Sequence, residues 1–348
     1  MSKSERQTNI EVLRVVSMLL IVVMHYIFYG LKQNPLHQYY DIKMISGLLN
    51  YLTMESLYLL SQVAVNCYVM ITGYFLIDKL QYRWKGIFRI IIQTLFYSIL
   101  FFVIACAIGE DAKREVLKSF LPIHQCEYWF VTTYIGLLLI APFIALIATS
   151  LNKKQYQIML VVLFILTFKQ LYGNVYAGHR TILFFSFLFL IAGYFKLYGM
   201  PQKILKRKKL LFVGIWFILI AMATLVNLGH NYFELIGTSY DGPILFLSII
   251  TFILFTDAEL DKYIFKVIAK FAPYTFGVYL IHENHFISAK LWYLLPETYT
   301  YPIMLHCVML CLAIFATCVV IDYLREKIFN LVSIDALLTK ICNKMPQL

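Results

Sequence analysis

The chain has 348 residues, of which 61% are hydrophobic and 14% are charged, and its mean hydropathy is +0.74. Soluble domains are about 45–50% apolar and about 25% charged, so the composition excludes an ordinary soluble domain and indicates an integral membrane protein. The formal net charge of +11 does not indicate nucleic-acid binding, because the basic residues are dispersed among apolar runs rather than gathered on one polar face.

Apolar runs of about 20 residues, joined by short polar connections, predict ten membrane-spanning helices. The runs cover residues 10–30, 54–77, 87–108, 128–149, 156–172, 180–198, 210–229, 242–257, 272–290 and 302–323. The expected fold is therefore an all-α, polytopic membrane helix bundle, with one membrane-embedded domain over residues 1–323. The seven cysteines form no C-x-x-C pair, so neither a disulfide scaffold nor a metal site is expected.

The distribution of lysine and arginine predicts the orientation of the bundle. With the N-terminus in the cytoplasm, the outer side carries eight of the 30 basic residues and the cytoplasmic side carries the other 22. An even number of spans then places both termini in the cytoplasm. Residues 324–348 are expected to form a cytoplasmic tail, in which an amphipathic helix over 324–345 lies along the inner membrane surface.

The first span contains two residues that are unusual inside an apolar run, Arg14 and His25. Eleven steps of about 100° return to nearly the same helix face, and at 1.5 Å each they climb about 16 Å. One face of this helix therefore presents a cation near its cytoplasmic end and an imidazole toward its outer half. Ionisable groups inside a membrane usually face a bundle interior. The alternative is a snorkelling arginine and an interfacial histidine.

Five phrases, in order along nearly the whole chain, resemble those of the acyltransferase-3 family of bacterial membrane O-acyltransferases. They are the Arg14–His25 pattern, VMITGYFL at 69–76, RWKGIFR at 83–89, EYWFVTTYIGLLLIAPF at 127–143 and TFGVYLIH at 275–282. The resemblance implies transfer of an acyl group, usually acetyl, from a cytoplasmic thioester donor to a glycan hydroxyl. It also implies a multi-pass protein of the bacterial cytoplasmic (inner) membrane.

A coenzyme A thioester requires cations for its phosphates and a path for its pantetheine arm. The resemblance and the predicted orientation nominate Arg14, Arg83, Lys85 and Arg89 as donor-binding residues. The family's basic phrase usually has two arginines three residues apart, whereas Arg83 and Arg89 here are six apart. The arm would then deliver acetyl-CoA, or another acyl-CoA, toward His25.

His25 is expected to act as a general base that removes the proton of the acceptor hydroxyl. No GxSxG phrase or Cys–His pair indicates a covalent acyl-enzyme, so direct transfer is favoured. Glu127 and His282 are further catalytic candidates, and Trp129, Tyr128 and Glu283 are candidates for binding the acceptor. The alternatives are an interfacial aromatic belt and hydrogen bonds between helices.

Two other functions remain open from the sequence. A carrier or flippase could move a lipid-linked sugar or an acyl group without bond formation, although no internal repeat supports the common carrier designs. A structural or sensory membrane protein would use the same polar residues for packing. The expected partners are the acyl-CoA donor, a glycan or lipid-linked glycan acceptor, and membrane lipids. No metal is expected, and the acceptor, the acyl length and the oligomeric state stay open.

Overall fold

The computed structural model describes residues 7–32, 48–167, 180–199, 210–211, 213–222, 224–225, 242–293 and 303–346. All regular secondary structure in these ranges is helical. The helices, numbered in chain order, are α1 Thr8–His25, α2 Leu48–Ser61, α3 Val63–Leu76, α4 Trp84–Ala107, α5 Val116–Phe120, α6 Trp129–Ser150, α7 Lys153–Thr167, α8 Ile182–Tyr198, α9 Val213–Met222, α10 Gly242–Thr256, α11 Tyr263–Ala269, α12 Thr275–His282, α13 His285–Tyr293, α14 Ile303–Leu331 and α15 Ile334–Cys342. A π-helical segment, Tyr26–Lys32, continues α1.

The first helix lies inside the bundle, where it packs against α2, α3, α10, α11, α12 and α14. Apolar residues on several of its faces, such as Ile10, Val12, Leu13 and Val22, are buried. A helix that is apolar nearly all round is expected to be surrounded by other helices. His25, at the end of α1, is therefore held within the protein.

The helices α3 and α8 approach each other closely. A side chain at Gly73, in the TGYF part of the second phrase, would overlap the backbone of Phe189. Only glycine permits this contact, because any Cβ would collide with a carbonyl group that cannot move aside. The glycine of the phrase thus fixes the spacing of two membrane helices.

The outward surfaces of several helices are apolar. Large exposed side chains on α4, α6, α7 and α14 include Val103, Ile104, Phe143, Ile147, Ile158, Val161, Leu305 and Met309. Extended apolar surface of this kind marks contact with lipid or with another protein. Together with the length of the helices, it indicates a polytopic membrane protein.

Six described helical segments are long and apolar enough to cross a membrane: Thr8–Leu31, Leu52–Leu76, Trp84–Ala107, Trp129–Ser150, Tyr263–His282 and Ile303–Leu331. Three shorter apolar helices, α8, α9 and α10, occupy further predicted spans. The predicted span 156–172 is helical as far as Thr167, and its last residues lie outside the described ranges. The described residues thus confirm the all-α class and indicate a polytopic membrane bundle, while the count of ten spans stays a prediction.

Two boundaries near the C-terminal end differ from the expected ones. The last long helix, α14, continues to Leu331, so the first residues of the expected tail belong to it. Ser333 then adopts a left-handed conformation with φ of 55°, and the amphipathic helix is the shorter α15. The apolar spacing that predicted one amphipathic helix over 324–345 therefore spans two helices separated by a turn.

Candidate active site

A break between α12 and α13 directs four consecutive polar side chains, residues 282–285, toward three partner residues. His282 and Glu283 both approach His25, Asn284 donates to the Tyr128 hydroxyl, and His285 contacts Glu127. Successive side chains can diverge in this way because the helix ends at His282 and begins again at His285. The late phrase TFGVYLIH thus ends at a junction that connects α1 with the start of α6.

His25 has two partners at the same ring nitrogen. Its Nδ1 lies 3.0 Å from Nε2 of His282 and 2.9 Å from Oε2 of Glu283. The hydrogen-bond geometry is satisfied toward His282, whereas Oε2 of Glu283 accepts no hydrogen bond from the described residues and acts on the ring as a neighbouring charge. The imidazole of His25 is buried, so this charge acts with little screening by water.

The hydrogen bonds define which nitrogen of each ring carries the proton. Nδ1 of His282 is 2.6 Å from the Val278 carbonyl, which can only accept, so this nitrogen is the donor. In a neutral His282, Nε2 is then the acceptor for Nδ1–H of His25. Neutral His25 consequently carries its lone pair on Nε2. Within the described part of the chain, this nitrogen has no hydrogen-bond partner.

Glu283 is itself held by a residue one turn beyond His25. The Tyr29 hydroxyl donates to Oε1 of Glu283 over 3.2 Å, and the rings of Tyr29 and His25 are 5.3 Å apart. Tyr29 lies in the π-helical continuation of α1. Such segments are frequent at functional sites because they redirect side chains without ending the helix.

Three groups of this cluster are potential metal ligands. One ligand atom each from His25, His282 and Glu283 lies within 4.8 Å of the other two. Two of these separations, 3.0 and 2.9 Å, have the length of hydrogen bonds. Ligands about 2.0–2.1 Å from a tetrahedral zinc lie about 3.3–3.4 Å apart, so the cluster would need to expand to hold one.

A cavity of about 460 Å³ extends from His25 toward the opposite end of α1. His25 and Trp129 are among its lining residues, and so are Arg14, Arg89 and Arg325. Arg14 and His25 therefore share one cavity, as the spacing on the first helix predicts. This volume falls within the range of about 300–1,000 Å³ that is usual for small-molecule sites.

A second cavity, of about 330 Å³, shares Arg14, Thr72 and Tyr134 with the first one and is adjacent to it. Lys79 and Arg83 also line this second cavity. The two spaces together form a route from a cationic region to His25. Thr72 belongs to the second phrase, and its hydroxyl is 2.8 Å from that of Tyr134 on α6.

The predicted donor-binding residues have different environments. Arg14 and Arg89 line the larger cavity and have acidic neighbours, Glu11 at 3.4 Å and Glu326 at 3.8 Å. Arg83 lines the smaller cavity. The ammonium group of Lys85 instead donates to Thr339 of α15 and is not among the lining residues of either cavity.

The predicted residues at the start of α6 also differ in their surroundings. Trp129 lines the larger cavity, and the Arg180 guanidinium lies over its ring at 5.1 Å. Tyr128 is buried and donates to the Leu280 carbonyl, so it connects helices. The Glu127 carboxylate contacts His285, and among the described residues no hydrogen bond or ion pair joins it to His25.

Tyr29, His285 and Arg325 did not emerge from the sequence as site residues. Tyr29 follows His25 by four positions, a spacing that places two side chains on one helix face. Arg325 could have been found from Asp322, a carboxylate inside the last predicted span. An acid in such a span needs a cationic partner, which must lie nearby. His285 had no comparable local signal.

The apolar helices, the internal cavity and the buried histidine with its acidic neighbour define a polytopic membrane protein with a site for group transfer. A family model described as an acyltransferase domain, the acyltransferase-3 model, matches residues 7–323, and the chain belongs to that family. The curated proteins and the solved structures compared with the chain gave no match. Family membership confirms the resemblance and makes the protein a membrane acyltransferase with an acyl donor and an acceptor.

Proposed function

We propose that the protein is an O-acyltransferase that moves an acetyl group, or another short acyl group, from cytoplasmic acyl-CoA to a hydroxyl of a cell-surface or lipid-linked glycan. The observation that carries this proposal is the single cavity that joins Arg14 and Arg89 to His25 and Trp129. Arginines suit the phosphates of the donor, and an imidazole suits the activation of a hydroxyl. The expected location is the bacterial cytoplasmic membrane, with the arginine end of the cavity facing the cytoplasm.

The donor would lie along the cavity with its phosphates near the arginines and its thioester near His25. Arg14 and His25 are eleven residues apart on one helix, a rise of about 16 Å. An extended pantetheine arm spans a distance of this order. The apolar lining near His25, which includes Ile21 and Met24, would exclude water from the thioester.

The acceptor would enter from the His25 end, where the ring of Trp129 offers a face for a sugar. Nε2 of His25 takes the proton of the acceptor hydroxyl as its oxygen attacks the thioester carbon. The carbon–sulfur bond then breaks, and the proton passes from His25 to the departing thiolate. Glu283 stabilises the imidazolium between these steps, and His282 keeps the proton of neutral His25 on Nδ1.

The test is label transfer by the purified protein in lipid nanodiscs. Acetyl-CoA labelled in the acetyl group is supplied together with the glycan and lipid fractions of the producing cells. We expect alkali-labile label on the glycan, which requires neither a membrane potential nor an ion gradient. The His124→Ala variant is a matched control that removes an exposed imidazole outside the cavity lining, and it should transfer label normally.

Two outcomes would contradict the proposal. Movement of a lipid-linked sugar or of acyl groups across the bilayer without ester formation would support the carrier function instead. Absence of both label transfer and donor binding would support a structural or sensory role. Replacement of acetyl-CoA by longer acyl-CoA donors in the same assay determines the acyl group.

A further inference from the structure

A buried ion pair on α14 lies beside the larger cavity. Arg325, only 4% exposed, donates from Nε to Oδ1 of Asp322 over 3.0 Å and from Nη2 to Oδ2 over 2.8 Å. Asp322 also accepts from Gln93 at 2.9 Å and from the Tyr97 hydroxyl at 2.8 Å. The carboxylate is fully buried, and four donor groups saturate it.

Stability alone does not explain this pair, because buried ion pairs often contribute less to stability than apolar residues of similar volume. One terminal nitrogen of the guanidinium, Nη1, also takes no part in the ion pair. Nη1 of Arg325 is buried and has no hydrogen-bond partner among the described residues, while the residue itself lines the cavity. Leaving such a donor without an acceptor is costly, so an acceptor from a ligand would remove a penalty that exists in the empty protein.

The three arginines that line the cavity differ in how firmly they are held. Arg14 and Arg89 are partly exposed, and their acidic neighbours, Glu11 and Glu326, lie at 3.4 and 3.8 Å. These pairs are loose and can open to accept an anion. Arg325 has a rigid bidentate partner and therefore presents its remaining nitrogen in a fixed position.

We propose that Arg325 binds the pyrophosphate group of the acyl donor through Nη1 and that Asp322 is its positioning residue. The inference rests on the proposed function, because that function supplies a donor with phosphates. One edge of the guanidinium stays on Asp322 while the other faces the ligand. A lysine cannot do both, since its single ammonium group has no fixed fork of donors.

Gly277 in the TFG part of the late phrase makes room for this arrangement. A Cβ at this position would overlap Cγ and Oδ1 of Asp322. The carboxylate thus occupies the space that a side chain on α12 would fill. The glycine of the phrase connects the helix that carries His282 with the pair that holds Arg325.

The test compares ligands that differ in their phosphates. Binding of coenzyme A, 4′-phosphopantetheine and pantetheine is measured by calorimetry for the wild-type protein in nanodiscs. The main variant is Asp322→Asn with Arg325→Met, which removes both charges together, leaves no unpaired buried ion and keeps an acceptor for Gln93 and Tyr97. Arg325→Lys is the second variant, because it keeps a cation at the position.

We expect the double variant to lose about 10- to 100-fold of the wild-type preference for coenzyme A over pantetheine, while its affinity for pantetheine itself is unchanged. Arg325→Lys should lose most of the same preference. Lys327→Met is the matched control, since Lys327 is exposed on the same helix, does not line the cavity and carries the same charge. That variant should bind all three ligands like the wild type.

The outcomes separate this inference from the proposed function. If the wild type prefers coenzyme A and the double variant keeps that preference, the role of Arg325 is overturned and the proposed function stands. Equal weakening of pantetheine and coenzyme A would show a structural pair and also overturn the inference. If the wild type binds coenzyme A no better than pantetheine and transfers no label, both proposals fail.

Discussion

Two histidine–glutamate pairs meet at one helix break, yet their surroundings differ. His25 and Glu283 lie inside the bundle, where His25 lines the cavity. His285, two positions after Glu283, contacts Glu127 from the segment before α6, and neither residue lines the cavity. The side chain of His285 is 27% exposed, and its Nε2 is 3.9 Å from Glu115, so charges flank it on both sides.

The difference shows that a histidine beside a carboxylate does not by itself define a general base. Among the described residues, Nε2 of His25 has no hydrogen-bond partner, and the cavity can bring a substrate to it. His285 has carboxylates near both of its nitrogens, which suits a role in joining α13 to the segment before α6. Access to a ligand, rather than the chemistry of the pair, separates the two.

Replacement of each histidine by alanine should produce the largest contrast. His25→Ala should lower the rate of acyl transfer by about 10²- to 10⁴-fold, because the base that activates the hydroxyl is gone. His285→Ala should lower it by less than about fivefold, in line with a peripheral ion pair. Rates are measured by label transfer at saturating donor, with the amount of protein in the membrane as control. Equal losses for the two variants would remove the distinction between the pairs.

The carboxylates provide a second, smaller contrast. Glu283→Gln should lower the rate by about 10- to 100-fold with little change in donor KM, because the buried imidazolium loses its counter-charge. Glu127→Gln should cost less than about fivefold, since its carboxylate contacts His285. The sequence predicted a catalytic role for Glu127. A loss as large as that of Glu283→Gln would support that prediction against the geometry.

Chelation tests whether the inner cluster works through hydrogen bonds or through a metal. Excess EDTA or dipicolinate should leave the transfer rate unchanged, because the contacts of His25 with His282 and Glu283 have hydrogen-bond lengths. The control is a parallel incubation with the same chelator already saturated by zinc. Loss of activity that zinc restores would replace the acid–base description with a three-ligand metal site.

The ion pair of Glu115 with Lys118, next to His285, should show the smallest effect, one that depends on pH. The Lys118 ammonium donates a hydrogen bond to Glu115 and holds the pKa of that carboxyl below its usual range. Its contribution to stability is present above the usual carboxyl range and is lost as the pH falls through the lowered pKa. Glu115→Gln should therefore lower the unfolding temperature by about 1–2 °C at neutral pH and leave it unchanged in acid. The transfer rate should not change. A difference in unfolding temperature between the variant and the wild type that grows as the pH falls would contradict this prediction.

Local periodicity was sufficient to predict much of the fold and one part of the site. Where the chain is described, the apolar runs correspond to helices, although the run 272–290 is divided between α12 and α13. The family resemblance is confirmed over residues 7–323. The spacing of Arg14 and His25 predicted a shared face, and both residues line one cavity. These properties follow from the period of a single helix.

The contacts that complete the site join residues far apart in the chain. His282 meets His25 across 257 positions, and no pattern within one helix fixes that encounter. The late phrase marked His282 and Glu283, but it did not show that both approach the same nitrogen. Arg325 entered the sequence analysis only as one of many basic residues, because the burial of a guanidinium depends on the helices packed around it.

Gly277 restricts the order in which neighbouring residues of such a chain can be replaced during evolution. A side chain at this position requires Asp322 to move, and loss of Asp322 leaves the buried charge of Arg325 without a counter-ion. Proteins in which only one of Gly277, Asp322 and Arg325 is replaced would be less stable than the protein that keeps all three or the one that replaces all three. Gly277 lies on one helix, more than 40 residues before Asp322 and Arg325 on another, and the three positions are therefore expected to co-vary as a unit among relatives.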